Sequence, residues 1–110
     1  MLKPEEEEGN IEYKRLISNN INRLEALASQ MKWRLTEGNG EYYYYIGIED
    51  NGSISKLSRI SLLKSLRNLR KVVDIINSEI IKVEMMQYEK YEYLIVKIKK
   101  DFNSIYLFLF

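Results

Sequence analysis

The sequence predicts an α+β fold, a two-layer sandwich in which two amphipathic helices cover one face of a mostly antiparallel sheet. Three observations lead there. Apolar and polar residues alternate around residues 11–17, 42–49 and 91–100, which is the period of half-buried strands. Apolar residues recur instead at spacings of three and four over residues 21–35 and 62–76, the period of helices lying on a sheet. The Asn51-Gly52 pair is a strong hairpin-turn signal between two extended segments.

Residues 1–9 form an acidic arm with Glu5, Glu6, Glu7 and Glu8, too polar to enter a core and expected to be flexible. IEYKRLI then opens the domain as a first strand, with Ile11, Tyr13 and Ile17 on one face and Glu12 and Lys14 on the other. Asn20 stands where a helix N-cap belongs; Ile21, Leu24, Leu27, Ala28, Met31 and Leu35 make the buried stripe, and Gly38 ends the helix at the C′ position. The stretch EYYYYIGIEDNG gives a strand from Tyr42 to Glu49 that turns at Asp50-Asn51-Gly52 into a short return strand, SISKL. Strand alternation points Tyr44, Ile46 and Ile48 toward the helices, and Tyr43 and Tyr45 toward the open sheet face near Tyr13, Tyr91 or Tyr93. Ser58 or Ser61 starts the second helix, with Leu62, Leu66, Leu69, Val73 and Ile76 inward and Lys64, Arg67 and Lys71 outward. EIIKVEMMQY and YEYLIVKIKK complete the sheet as a hairpin turning at Glu89-Lys90. One α+β domain thus occupies residues 10–100, and an apolar tail, 101–110, carries SIYLFLF.

A chain of 110 residues has room for one core. Its formal charge of +1 gives the whole molecule no preference for polyanions or membranes, so any such preference must come from local clusters. The absence of cysteine and histidine removes disulfides, thiolate nucleophiles, the usual zinc sites and all histidine acid/base chemistry. The N-terminus has no apolar core of the secretory type, and no apolar run approaches the roughly 20 residues of a membrane helix. A cytoplasmic chain without membrane contact is the expectation.

Three motifs point to a family. EEGNIEYK (Glu7 to Lys14), QMKWRLTEGNGE (Gln30 to Glu41) and YIGIEDNG (Tyr45 to Gly52) resemble the region just ahead of the GTPase domain in a eukaryotic family of elongation-factor-Tu/1-alpha-like GTP-binding proteins. Their order and spacing are similar too. The resemblance runs from Glu7 to about Lys100 and weakens after Leu57. It implies a translational GTPase using GTP and Mg²⁺, acting on tRNA, mRNA or the ribosome in translation or RNA turnover.

The phosphate cradle G-x-x-x-x-G-K-[ST], whose backbone N–H groups hold the nucleotide phosphates, is missing from this sequence. Its glycines are Gly9, Gly38, Gly40, Gly47 and Gly52, and none precedes a Lys-Ser or Lys-Thr pair. The expectation is therefore a noncatalytic accessory domain, truncated before the P-loop and without a cofactor of its own. SIYLFLF would begin the missing GTPase domain, which could be met in cis or in trans, and the exposed tail could promote self-association.

A second likeness is fainter. An acidic pair before E-Y-K, followed by I-G-I-E-D-N-G, is similar to the AlbA-like modules of Schlafen-type nucleic-acid enzymes. The matching carboxylates are Glu7, Glu12 and Asp50, with Glu49 adjacent, and in the nuclease members they hold Mg²⁺ or Mn²⁺ for RNA cleavage. The competing account makes Glu12 a solvent-facing strand residue, Asp50 a turn residue and the acidic run a solvated arm.

Two surfaces are candidates for partner or RNA contact. Trp33, flanked by Lys32 and Arg34, falls opposite the apolar stripe of its helix. It either packs under the arm or the sheet edge, or presents an anchor for a protein or a nucleic-acid base. Lys64, Arg67 and Lys71 make either a solvated helix face or a set of phosphate contacts. The four consecutive tyrosines resemble a base-stacking platform but lack spaced cations, so cross-strand packing is their expected use. A pure protein-interaction module is the remaining alternative.

Overall fold

A computed structural model describes residues 1–6 and 9–100. The elements are β1 (Ile11–Lys14), α1 (Ile21–Glu37), β2 (Glu41–Ile46), α2 (Arg59–Ile75), β3 (Ser78–Tyr88) and β4 (Tyr91–Lys100). The strands form one sheet in the order β1-β2-β4-β3. β1 pairs with β2 in parallel, and the other two pairs are antiparallel, so the expected α+β sandwich with a mostly antiparallel sheet is the observed fold. Parallel neighbours need a long crossover, and α1 supplies it. The apolar tail lies outside the described residues.

Both helix starts follow from side-chain capping. Asn20 Oδ1 accepts the Arg23 N–H at 3.2 Å, and Ser58 Oγ accepts the Ser61 N–H at 3.2 Å, each satisfying a donor that has no intrahelical partner. Of the two serines considered, Ser58 is the cap. Gly38 is not the left-handed residue after α1; its φ is −86°, and the left-handed positions are Asn39 and Gly40. Glycine is needed at 38 for a different reason, because a Cβ there would collide with the Glu41 carbonyl as the chain doubles back.

The main core lies between the helices and the sheet. Leu24, Leu27, Ala28, Met31 and Leu35 of α1 are buried as expected, while Ile21 at the end of the stripe stays exposed. In α2 the buried set is Leu62, Ser65, Leu69, Val72 and Val73, with Ser65 Oγ accepting the Ile17 N–H at 3.0 Å; Leu66 and the C-cap Ile76 are only partly covered. Tyr42, Tyr44 and Ile46 from β2 and Leu94, Val96 and Ile98 from β4 complete it.

Ile48 departs from its expected position. It belongs to a second, smaller cluster with Tyr13 and Tyr93 on the other side of the sheet. Gly47 is the cause: at φ +92° it reverses the alternation, so the residue after it switches faces. The expected return strand also shrinks to a single bridge between Ile48 and Ile54. Around that turn the Glu49 N–H donates to the Ser53 carbonyl at 2.8 Å, and the Ser55 N–H to the Gly47 carbonyl at 2.8 Å.

The tyrosines of the open face pack on one another. Tyr13 and Tyr45 have ring centroids 5.6 Å apart, and Tyr45 stacks on Tyr93 at 6.3 Å. Tyr91 stands elsewhere, with Lys56 and Lys90 over its ring at 5.4 and 5.5 Å. Residues 1–6 reach the same side of the sheet: the Leu2 N–H donates to the Gly52 carbonyl at 2.9 Å, and the Tyr13 hydroxyl to the Lys3 carbonyl at 2.8 Å.

Gly47 yields a test of this division. A Cβ at 47 would meet Leu62 Cδ2 at 2.9 Å and also hold a non-glycine residue at φ +92°. Gly47→Ala is expected to cost about 1–3 kcal/mol in equilibrium urea unfolding. A change below about 0.5 kcal/mol, the scatter of ordinary surface substitutions, contradicts the constraint.

Candidate functional site

A buried polar network centres on the Glu12 carboxylate. The parallel register sets Glu12 beside Tyr44, on the helix-facing side of edge strand β1. It is therefore 8% exposed, which corrects its expected place on the solvent face. The side chains of the first strand still alternate, but both faces are covered, so Glu12 is buried under α1 and Tyr13 under the arm while Ile11 is exposed.

Four side chains converge on that carboxylate. Gln30 Nε2 donates to Oε1 at 3.2 Å, and the Tyr42 hydroxyl donates to Oε2 at 3.3 Å. The Arg34 guanidinium lies 3.5 Å from Oε2 and the Lys14 ammonium 3.8 Å from Oε1. Arg34 also sits over the Tyr42 ring at 5.9 Å and pairs with Glu37 at 3.5 Å. The Tyr44 hydroxyl donates to Gln30 Oε1 at 3.4 Å. Buried carboxylates persist only when paired and hydrogen-bonded, and this one ties β1, β2 and α1 together.

The network shapes its neighbours' acidities. Burial, then the Glu12 charge, pushes the Tyr42 and Tyr44 phenols well above the ordinary tyrosine range. At the outer edge of β1, Glu5 Oε1 accepts the Tyr13 N–H at 2.8 Å. Burial nevertheless raises the Glu5 carboxyl; the Tyr13 N–H opposes this, and the nearby Glu12 and Asp50 charges add to it.

The candidate residues fall in three separate places. Of the carboxylates matched to nuclease modules, Glu7 lies outside the described residues, Glu12 is committed to the network, and Asp50 is exposed at the turn. The Asp50 backbone carbonyl accepts the Glu5 N–H at 2.8 Å. Among the described residues, no three acidic side chains are grouped so as to hold a metal ion.

Trp33 is 65% exposed, so it is not buried under the arm or the sheet edge. Lys32 shares its exposure, but Arg34 turns the other way, into the Glu12 network. Lys64, Arg67 and Lys71 are exposed together and line a depression of about 360 Å³ with Asn19 and Asn68. Two bonds hold its wall in place: Lys71 Nζ to Asn19 Oδ1 at 2.9 Å, and Asn68 Nδ2 to the Ile17 carbonyl at 2.8 Å. Asn19 adjoins the start of α1, and Trp33 lies near its end, roughly 20 Å away at 1.5 Å per residue. The indole and the basic depression are thus distinct surfaces.

With the geometry in hand, comparison with known proteins adds a relationship. The chain is similar to GTP-binding protein 2. The match is 45% identical over 80 residues in both the Mus musculus and Homo sapiens proteins, covering 72% of this chain. It falls in the N-terminal region of those proteins and spans 13% of their length. An uncharacterized protein of Acanthamoeba polyphaga mimivirus is 37% identical over 81 residues, which is 72% of this chain and 44% of that protein. No family model matches the chain, and no solved structure gives a significant match. No helix among the described residues is long and apolar enough to cross a membrane.

Sequence patterns missed Gln30 and Tyr42 as partners of Glu12, because nothing local to those residues marks them. The only available signal was Glu12 in a strand next to a tyrosine-rich one, which is ambiguous until register is known. Replacing Glu12 with alanine is expected to cost about 1–3 kcal/mol in urea unfolding, since the Tyr42 hydroxyl and Arg34 lose their acceptor. For Glu5 the raised carboxyl means that its stabilising contribution is complete below about pH 4.3 and is lost as pH rises through the folded value. Glu5→Gln should therefore leave the urea midpoint almost unchanged at pH 4 and raise it at pH 7; a lower midpoint at pH 7 reverses the assignment.

Proposed function

We propose that this chain is a noncatalytic accessory domain of an elongation-factor-like GTP-binding protein, acting in the cytoplasm in translation or RNA turnover. The observation that carries the GTP-binding-protein part is the 45% identity with GTP-binding protein 2 over 72% of the chain; the elongation-factor and RNA part rests on the motif resemblance in the sequence. The sequence supports the noncatalytic half of the proposal, because it contains no G-x-x-x-x-G-K-[ST] segment to cradle phosphates. GTP and Mg²⁺ then belong to a GTPase domain, met in cis or in trans, and not to these residues.

RNA, as tRNA, mRNA or the ribosome, is the partner that the basic depression suits. Lys64, Arg67 and Lys71 stand on one exposed helix face with no acidic residue between positions 59 and 73, so their charges add. Asn19 and Asn68 supply neutral hydrogen-bonding groups beside them. Trp33, far from that face, suits contact with the GTPase domain, because an exposed indole on a helix is a typical anchor in protein interfaces.

Fluorescence anisotropy with labelled tRNA at low salt tests the RNA contact. The combined Lys64→Ala, Arg67→Ala, Lys71→Ala variant should bind about tenfold or more weakly. Its slope of log affinity against log salt should fall by about 2 to 3. Equal affinities for variant and parent overturn the placement of RNA on this face. Tight, Mg²⁺-dependent GTP binding by the same purified chain overturns the noncatalytic assignment.

A further inference from the structure

The β3 edge is the largest unpartnered structural feature in the described chain. β3 runs eleven residues, Ser78 to Tyr88, at the end of the sheet order, and among the described residues no strand lies beyond it. Its outer N–H and C=O groups thus form an open template. Apolar side chains flank this edge at unusual exposure: Ile81 44%, Val83 40% and Met85 39%. On the neighbouring α2, Leu63 is 47% exposed.

The order of residues along β3 favours one partner. Around Val83 the strand reads Ile81-Lys82-Val83-Glu84-Met85, a sequence that is symmetric in character and opposite in charge about its centre. Lys82 and Glu84 share one side of the strand, where they pair at 2.9 Å and remain well exposed. A two-fold axis through Val83 would set Lys82 of each copy against Glu84 of the other. A lysine on an edge strand ordinarily deters pairing. Here the symmetry that would oppose two edges also gives each lysine an acidic partner. Ile81 is the extra residue of the bulge between Ile80 and Lys82, so the regular ladder open to a partner begins at Lys82 and its centre at Val83 is unbroken.

We propose that β3 is a homodimerisation edge, on which a second copy of this chain adds antiparallel about Val83 to make one continuous sheet of eight strands from two copies of four. The interface is isologous. Val83 and Met85 share strand positions with the core residues Val96 and Leu94, so they lie on the helix side, and the two copies would cover each other's strip there.

Sedimentation equilibrium of the full chain from about 1 μM to about 500 μM is the first measurement, a range that brackets weak and moderate interfaces. A monomer–dimer equilibrium is expected. Lys82→Glu and Glu84→Lys should each weaken it by about tenfold or more, since each sets like charges opposite one another twice. An equimolar mixture of the two variants should recover the parent's affinity, because each then supplies the charge that the other lacks. Both side chains are exposed, so the fold should persist, and circular dichroism checks it. A chain that stays monomeric throughout overturns the proposal. So does a dimer that ignores both charge reversals, or one lost on deleting residues 101–110 while the reversals have no effect.

Discussion

The left-handed backbone at Gly47 divides the protein's apolar residues between two cores. Up to Ile46 the tyrosine-rich strand alternates strictly, sending Tyr42, Tyr44 and Ile46 into the helix-facing core. One residue later the sense is reversed, and Ile48 joins Tyr13 and Tyr93 on the far side. A sheet covered by helices on one face alone would leave its other face wet. Here one end of that face is closed by residues from three sources: the arm, the 48–54 turn and the tyrosines of the sheet itself. Of the four consecutive tyrosines Tyr45 serves that closure, packing on Tyr13 and Tyr93 at 5.6 and 6.3 Å, while Tyr42 and Tyr44 fill the helix-facing core.

The Glu12 network is the polar counterpart of this arrangement. β1 is a short edge strand of four residues, held by one neighbour and by little apolar surface of its own. A carboxylate buried under α1 and met by Gln30, Tyr42, Arg34 and Lys14 gives that strand a specific position. Because removing any member strands the rest in a poorly solvated place, such a network defines one register more than it adds net stability. It also explains why Arg34, beside an exposed tryptophan in sequence, has no part in the same surface.

What remains at the surface is sparse and spatially sorted. The basic depression beside Asn19, the indole at the far end of α1 and the open β3 edge lie on different parts of the fold. The chain that carries these surfaces is similar to a small part of much longer GTP-binding proteins.

The sequence by itself determined the two helices and four of the five expected strands; the return strand after Gly52 is the exception. The apolar helix stripes in outline, the cap at Asn20 and the β3–β4 hairpin depend on residues close together in the chain and were legible there, whereas Ser58 and Ser61 were equal candidates for the second cap until the structure placed it at Ser58. The missing phosphate cradle was equally legible, because that motif is contiguous. Tertiary structure alone decided which way the ambiguous residues face. Glu12 is buried because α1 crosses over β1, Ile48 changes sides because one glycine adopts a positive φ, and Arg34 turns inward because Glu12 is there. Periodicity is a local property of the chain, whereas the burial of a side chain at an edge or after a reversal depends on what distant residues place against it.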